Sequence, residues 1–213
     1  MMNLVLKNGD RFLFMGDSIT DCGRRDEATP MGCGYAAIVP GLIAAKLPEL
    51  QVEFYNRGIG GHTLVDLEAR WEEDCLAIQP HWMSVLIGIN DLHWGLGGDE
   101  ERGPANFARR YEELLTAARE ASGCQFILLE PFYYAVPPGA DEQQQKVFEL
   151  LPAYLEIVHQ MAEKFSARLI KTHEWGQEII RQHGPEILCN EPVHPHLTGH
   201  AVMAQWLFKA LKA

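Results

Sequence analysis

The chain has 213 residues, 47% hydrophobic and 22% charged, with 29 acidic against 18 basic side chains and a formal net charge of −11. That length buries a core without staples, and the composition excludes disorder, a collagen-like repeat and a small disulfide scaffold. The negative field would repel a phosphate backbone or an anionic membrane surface, so the expected partner is a neutral or cationic small molecule, not nucleic acid or a membrane.

The cysteines (Cys22, Cys33, Cys75, Cys124 and Cys189) are odd in number, scattered and never spaced as CxxC. Reduced thiols in a reducing compartment are the simplest account. The start, Met1 to Asp10, lacks a basic segment followed by a long apolar run and is broken by Asn8-Gly9-Asp10. No window approaches the roughly 20 apolar residues of a membrane span. A cytoplasmic location is expected.

Arg11–Met15 reads as a short buried strand ended by Gly16, and 35–47 has helical spacing with a kink or late start at Pro40-Gly41. Gln51–Tyr55 alternates like a strand, and 64–78 reads as one acidic helix stopped by Pro80. Trp82–Ile87 is the third strand, 104–121 a strong helix closed by Gly123, and Phe126–Leu129 the fourth strand. A helix over 143–165, with Pro152 a point of interruption, precedes a short strand at Arg168–Ile170 and helices near 175–183 and 198–212. Strands alternating with helices predict one α/β domain over 1–213, its parallel sheet covered on both faces.

Ligands of such sheets bind beyond the carboxyl ends of the strands. Segments rich in Gly, Asn, Asp, Ser and His follow three of the predicted strands: Gly16–Asp21, Asn56–His62 and Gly88–Asp91. A fourth, Glu191–Pro195, precedes the last helix. Turn formation explains any one of them, but together they supply complementary catalytic parts. Ser18 is the candidate nucleophile, although a helix cap explains Asp17-Ser18 equally simply when taken alone. The segment is not a GxSxG elbow, because Thr20 stands where the second Gly belongs. His194 is the candidate base, and Glu191, three residues earlier, the carboxylate that would fix its tautomer. A surface Glu beside a helix-capping His is the alternative. Gly61, through its N–H, and Asn90, through its carboxamide, are candidate oxyanion donors; as lone residues they read as a turn glycine and a turn asparagine.

Gly58–Gly61 lacks the spacing of a dinucleotide loop and the lysine of a phosphate loop. His194, His196 and His200 have neither HExxH nor a cysteine pair, so no metal and no cofactor are expected. The acidic runs 68–74 and 99–101 read as solvated faces.

In this order the four segments resemble the GDSL/SGNH hydrolase family: Gly16-Asp17-Ser18 its serine block, Asn56–Gly61 its second, Gly88–Asp91 its third, and Glu191–Pro195 running into Leu197–His200 its histidine block. Phe14–Arg24, Ala69–Asp74 and Ile87–Asp91 are similar to the intracellular acetylxylan esterases of that family. The resemblance spans nearly the whole chain. It implies a flavodoxin-like three-layer α/β/α sandwich on a five-stranded parallel sheet, and metal-free serine ester hydrolysis. It further implies removal of acetyl groups from imported xylo-oligosaccharides, with the Ser18 N–H, Gly61 N–H and Asn90 side chain holding the oxyanion. One departure stands out: the family places Asp three residues before the histidine, where this chain has Glu191.

Asp17 and Asp91 are expected to brace the site loops beside the substrate. Trp94, Tyr133 and Tyr134 follow strand ends and could stack on a sugar or pack the rim. The alternatives are a GDSL-type lipase, lysophospholipase or thioesterase for longer acyl chains, and a non-catalytic binding protein on the hydrolase fold. A homo-oligomer is left open beside a monomer.

Overall fold

A computed structural model describes residues 4–25, 29–135 and 141–213. Met1–Asn3, with which the start read for a leader begins, lie outside them. The strands are β1 (Asp10–Gly16), β2 (Val52–Gly58), β3 (Trp82–Leu86), β4 (Gln125–Leu129) and β5 (Arg168–Ile170), all parallel, in the order β2-β1-β3-β4-β5. Phe12–Gly16 are buried without alternation, because both faces of β1 are covered.

The chain steps leftward once, from β1 to β2, and rightward in every later crossover. Right-handed connections therefore put α2 (Tyr35–Lys46) on one face and α3 (Leu64–Ala69), α5 (Pro104–Ser122) and α6 (Glu142–Lys164) on the other. Their packing agrees: α2 lies on α8 (Leu197–Ala210), the helix after α7 (Thr172–His183), while α5 contacts α3 and α6. The expected three-layer arrangement is present, and the strand order reverses between β1 and β3, the switch point beyond whose carboxyl ends parallel sheets of this kind bind ligands.

Each predicted strand exists, β5 over the predicted residues and the others with ends moved by at most three. The helix predicted over 64–78 does not run through. It stops at Ala69, and a wide π turn at Glu72–Leu76 follows. The break has a charge behind it: Arg70 Nη1 donates to Arg57 O (2.7 Å) and to Asp74 Oδ2 (2.6 Å), while Arg57 Nε pairs with Asp74 at 3.1 Å. The 68–74 run is thus not a plain solvated face, and Glu68 and Glu101 both pair with Arg110 while Asp99 pairs with Arg102. Pro40 and Pro152 interrupt nothing; both lie inside continuous helices, whose apolar faces are held by packing despite the lost N–H donors. Two further helices stand on the site, α1 (Ser18–Asp21) and α4 (Ile89–Leu96), in segments whose Gly and Asp content signals turns.

Candidate active site

Ser18 is the first residue of α1, one residue beyond the buried Asp17 that caps it, with Asp17 Oδ1 accepting from Ile19 N–H at 3.0 Å. The sharp strand-to-helix turn lets little but glycine pass. A Cβ on Gly16 would run into Leu86 O and the Thr20 hydroxyl. Ser18 Oγ lies 2.8 Å from His194 Nε2, although 176 residues separate them in sequence.

His194 is oriented from its own loop. Glu191 Oε1 accepts from the His194 backbone N–H at 2.6 Å and contacts the ring Nδ1 at 2.5 Å, while Oε2 accepts from Val193 N–H at 3.0 Å. The longer stem of glutamate is taken up by folding the carboxylate back onto two backbone donors. A carboxylate at Nδ1 requires a proton there, which leaves Nε2 as an acceptor facing the Ser18 hydroxyl. Glu191 and His194 are half-exposed, so an ester reaches the serine from solvent.

The residues expected to hold the oxyanion lie just beyond β2 and β3. Gly61 adopts φ +81°, open to glycine without strain. Asn90 lies in the first turn of α4, after Gly88 at φ +126°, and its Nδ2 donates to His62 O at 3.0 Å. That bond ties the carboxamide to the peptide beside Gly61.

Residues that the sequence reading passed over hold these pieces together. Buried Asn56 donates through Nδ2 to Thr20 O (2.7 Å) and Met31 O (3.0 Å) and accepts from Gly58 N–H (2.8 Å). It joins β2 to the far end of α1. Asp21 Oδ2 accepts from Gly60 N–H at 2.9 Å and from Arg25 Nε at 2.8 Å. The signal available was the Asn opening the second segment, read only as a turn former.

Of the expected substrate contacts, the structure separates three from the surface. Asp17 and Asp91 are each 1% exposed, and Tyr134 is 2% exposed, stacked on Phe132, with its hydroxyl donating to Thr172 O at 2.9 Å. These side chains brace the fold and do not face a ligand: Asp91 Oδ1 accepts from Leu64 N–H at 3.0 Å, pinning the start of α3. Burial pushes the Asp17 carboxyl up to about 7, with the nearby Asp91 charge adding to it, and burial does the same to Asp91, also to about 7. Tyr133, 7% exposed, packs edge-on against His93 and Phe148. Trp94 is the open aromatic, 57% exposed, one helical turn beyond Asn90, with Arg102 over its ring at 5.3 Å. The other clustered histidines have separate partners: His196 Nδ1 accepts from Thr198 N–H and its Nε2 meets Glu186 O, while His200 Nδ1 accepts from Tyr35 N–H.

A hydroxyl, an imidazole and a carboxylate in series on loops of a parallel α/β sheet define a serine hydrolase. Residues 14–202 match the GDSL-like Lipase/Acylhydrolase family, and the chain belongs to that family as a carboxylic ester hydrolase. It is similar to an acetylxylan esterase of Geobacillus stearothermophilus, 35% identical over 212 residues that cover 95% of this chain and 94% of the relative. The crystal structure of that organism's acetylxylan esterase Axe2 matches with a TM-score of 0.85 and 32% identity, covering 97% of this chain and 95% of Axe2. A putative GDSL-like lipase from Parabacteroides merdae matches with a TM-score of 0.88 and 29% identity over 98% of each chain.

Proposed function

We propose that the protein is a serine esterase that removes acetyl groups from xylo-oligosaccharides or similar small sugars through an acyl-enzyme. The observation that carries the mechanism is the hydrogen-bonded series Ser18–His194–Glu191. Ser18 Oγ attacks the acetyl carbon while His194 Nε2 takes its proton. The negative charge that develops on the carbonyl oxygen is met by the Ser18 and Gly61 N–H groups and the Asn90 carboxamide. His194 then gives the proton to the departing sugar oxygen, and a water activated by the same ring releases acetate. Glu191 keeps the ring in the required tautomer and stabilises the imidazolium.

Two observations support a sugar acetate over a long acyl ester. The hollow of about 310 Å³ flanking Glu191 is lined by Gln144, Glu186 and Asn190 beside Tyr134, Pro185 and Pro192, a mixture of polar groups and flat apolar surface that suits a sugar ring. Trp94 offers a solvent-facing ring beside Asn90. The relatives add weight. Alanine mutants of Axe2 described as catalytic replace a serine, a histidine and an aspartate, the last two spaced as His194 and Glu191 are here. The reading takes 1–213 as one domain needing no metal or cofactor, acting in the cytoplasm on a small molecule; no helix among the described residues is long and apolar enough to cross a membrane.

A substrate series tests it. Acetylated xylo-oligosaccharides should be deacetylated, and kcat/KM on activated esters should fall from acetyl to butyryl and further to octanoyl. Faster hydrolysis of octanoyl than of acetyl esters would transfer the assignment to the long-chain alternative.

A further inference from the structure

Cys22 and Cys33 meet at the opposite end of α1 from the nucleophile. Their sulfurs are 3.6 Å apart, Cys33 N–H donates to Cys22 O at 2.9 Å, and Cys33 Sγ lies 3.1 Å from that same oxygen. The backbone hydrogen bond holds the two residues side by side, so closing the sulfurs to a disulfide length of about 2.05 Å needs side-chain rotation and little else. The flanking glycines permit this approach. A Cβ at Gly32 would stand 2.8 Å from Cys22 O, and one at Gly34 would stand 2.8 Å from Cys22 Cβ and 2.9 Å from the His200 ring.

His200 completes the cluster. Its Nδ1 accepts from Tyr35 N–H at 3.2 Å, and burial pulls its pKa down to about 4, so at neutral pH the ring is neutral with its proton on Nε2. That N–H points at Cys22 Sγ, 3.4 Å away. Cys33 is exposed and Cys22 half-buried, whereas Cys75, Cys124 and Cys189 are buried.

We propose that Cys22 and Cys33 form a reversible oxidation site, a thiol pair that closes into a disulfide when hydrogen peroxide reaches it. The exposed Cys33 loses its proton and its sulfur attacks one peroxide oxygen. The O–O bond breaks, Cys33 becomes a sulfenic acid, and the departing hydroxide takes up that proton as water. Cys22 sulfur then attacks the Cys33 sulfur; the S–O bond breaks, the S–S bond forms, and the hydroxyl leaves with the Cys22 proton as a second water. Two thiols lose two electrons and two protons, and the peroxide is reduced to two waters. The burial that pushes the Cys22 thiol up to about 11 suits it to the resolving role and leaves the first attack to Cys33. The bond would fix both ends of the segment bearing Arg24, which donates to Gly58 O, and Arg25, which pairs with Asp21, so it braces the oxyanion side of the site.

The test uses the full chain, reduced with dithiothreitol, freed of it and titrated with hydrogen peroxide. Trypsin cuts after Arg24 and Arg25 and so separates the cysteines, and digestion without reductant followed by mass spectrometry reads any link. The expected result is a Cys22 peptide joined to a Cys33 peptide, two hydrogens lighter than their sum and parted by dithiothreitol. Free thiols counted in denaturant should fall from five to three and recover on reduction. Cys33→Ser should give no linked peptide and keep Cys22 reduced at the same dose. Loss of thiols without the link, a link to any of the buried cysteines, or no loss at doses that oxidise exposed thiols in a control protein would overturn the proposal.

Discussion

Glu191 departs by one methylene from the aspartate its family resemblance leads one to expect, and the structure shows where the methylene goes. The carboxylate folds back onto the Val193 and His194 N–H groups and still reaches the ring. Glu191→Gln keeps the shape but can donate to Nδ1 and favour the wrong tautomer. A loss in kcat of about 10² to 10⁴ with KM little changed is expected from steady-state kinetics. Glu191→Asp should lose less, because its carboxylate can follow if the loop moves in by about one bond length. A nearly silent Glu191→Gln would show that a backbone carbonyl orients the ring. Ser18→Ala should fold as the parent does and lose at least about 10³ in kcat. Ser18, His194 and Glu191 were legible because each is chemically distinctive and stands in a segment of turn-forming residues. Asp17 and Asp91 brace the loops as expected, and Tyr134 packs; what stayed hidden is that they turn away from the substrate side, since a polar residue after a strand looks the same whether it faces the crevice or turns inward to a backbone group.

Among the elements, the strands were readable because both-sides-buried strands appear as unbroken apolar runs, as Phe12–Met15 does. The short helices were not. α1 has four residues and α4 eight, too few to show a 3.6-residue period, and both start in Gly- and Asp-rich segments that read as loops. The break after α3 was hidden because it rests on Arg70 reaching Arg57 O, a pairing made only once β2 and α3 are side by side. The same applies to Asn56, whose partners are 25 and 36 residues away. Asn56→Ala removes its side-chain hydrogen bonds and strands buried partners, so it should lower stability by about 1–3 kcal/mol in denaturant melts. It should also reduce kcat, because it frees the segment carrying Gly61 from α1. A stability equal to the parent's would show that water replaces the carboxamide there.

At the scale of the whole molecule, four buried titratable groups set opposing pH responses. Asp17 and Asp91 are raised from 3.8 to about 7, so the folded chain holds more protons on them than the unfolded chain does in that window, and stability falls as pH rises. His173 and His200 are lowered by burial from 6.5 to about 4, so the folded chain holds fewer protons on them and stability is lost as pH falls from 6.5 to 4. The two effects offset one another between pH 4 and 6.5. Asp91→Asn removes half of the carboxylate side of that balance, leaving Asp17 against the two histidines, and stability measured by denaturant melts should then rise with pH across this window, by at most about 1.4 kcal/mol per pH unit. An unchanged or falling slope would show that Asp91 is ionised in the folded chain.

The central claim is that one serine, presented at the start of α1 and met by His194, is the nucleophile of this esterase. Reaction with a fluorophosphonate, followed by peptide mapping, measures it directly. The account predicts a single adduct, on Ser18, formed more slowly in the presence of excess acetyl ester and abolishing turnover of that ester, and no labelling of Ser18→Ala. An adduct on another residue, or full labelling and turnover in the alanine variant, would contradict it.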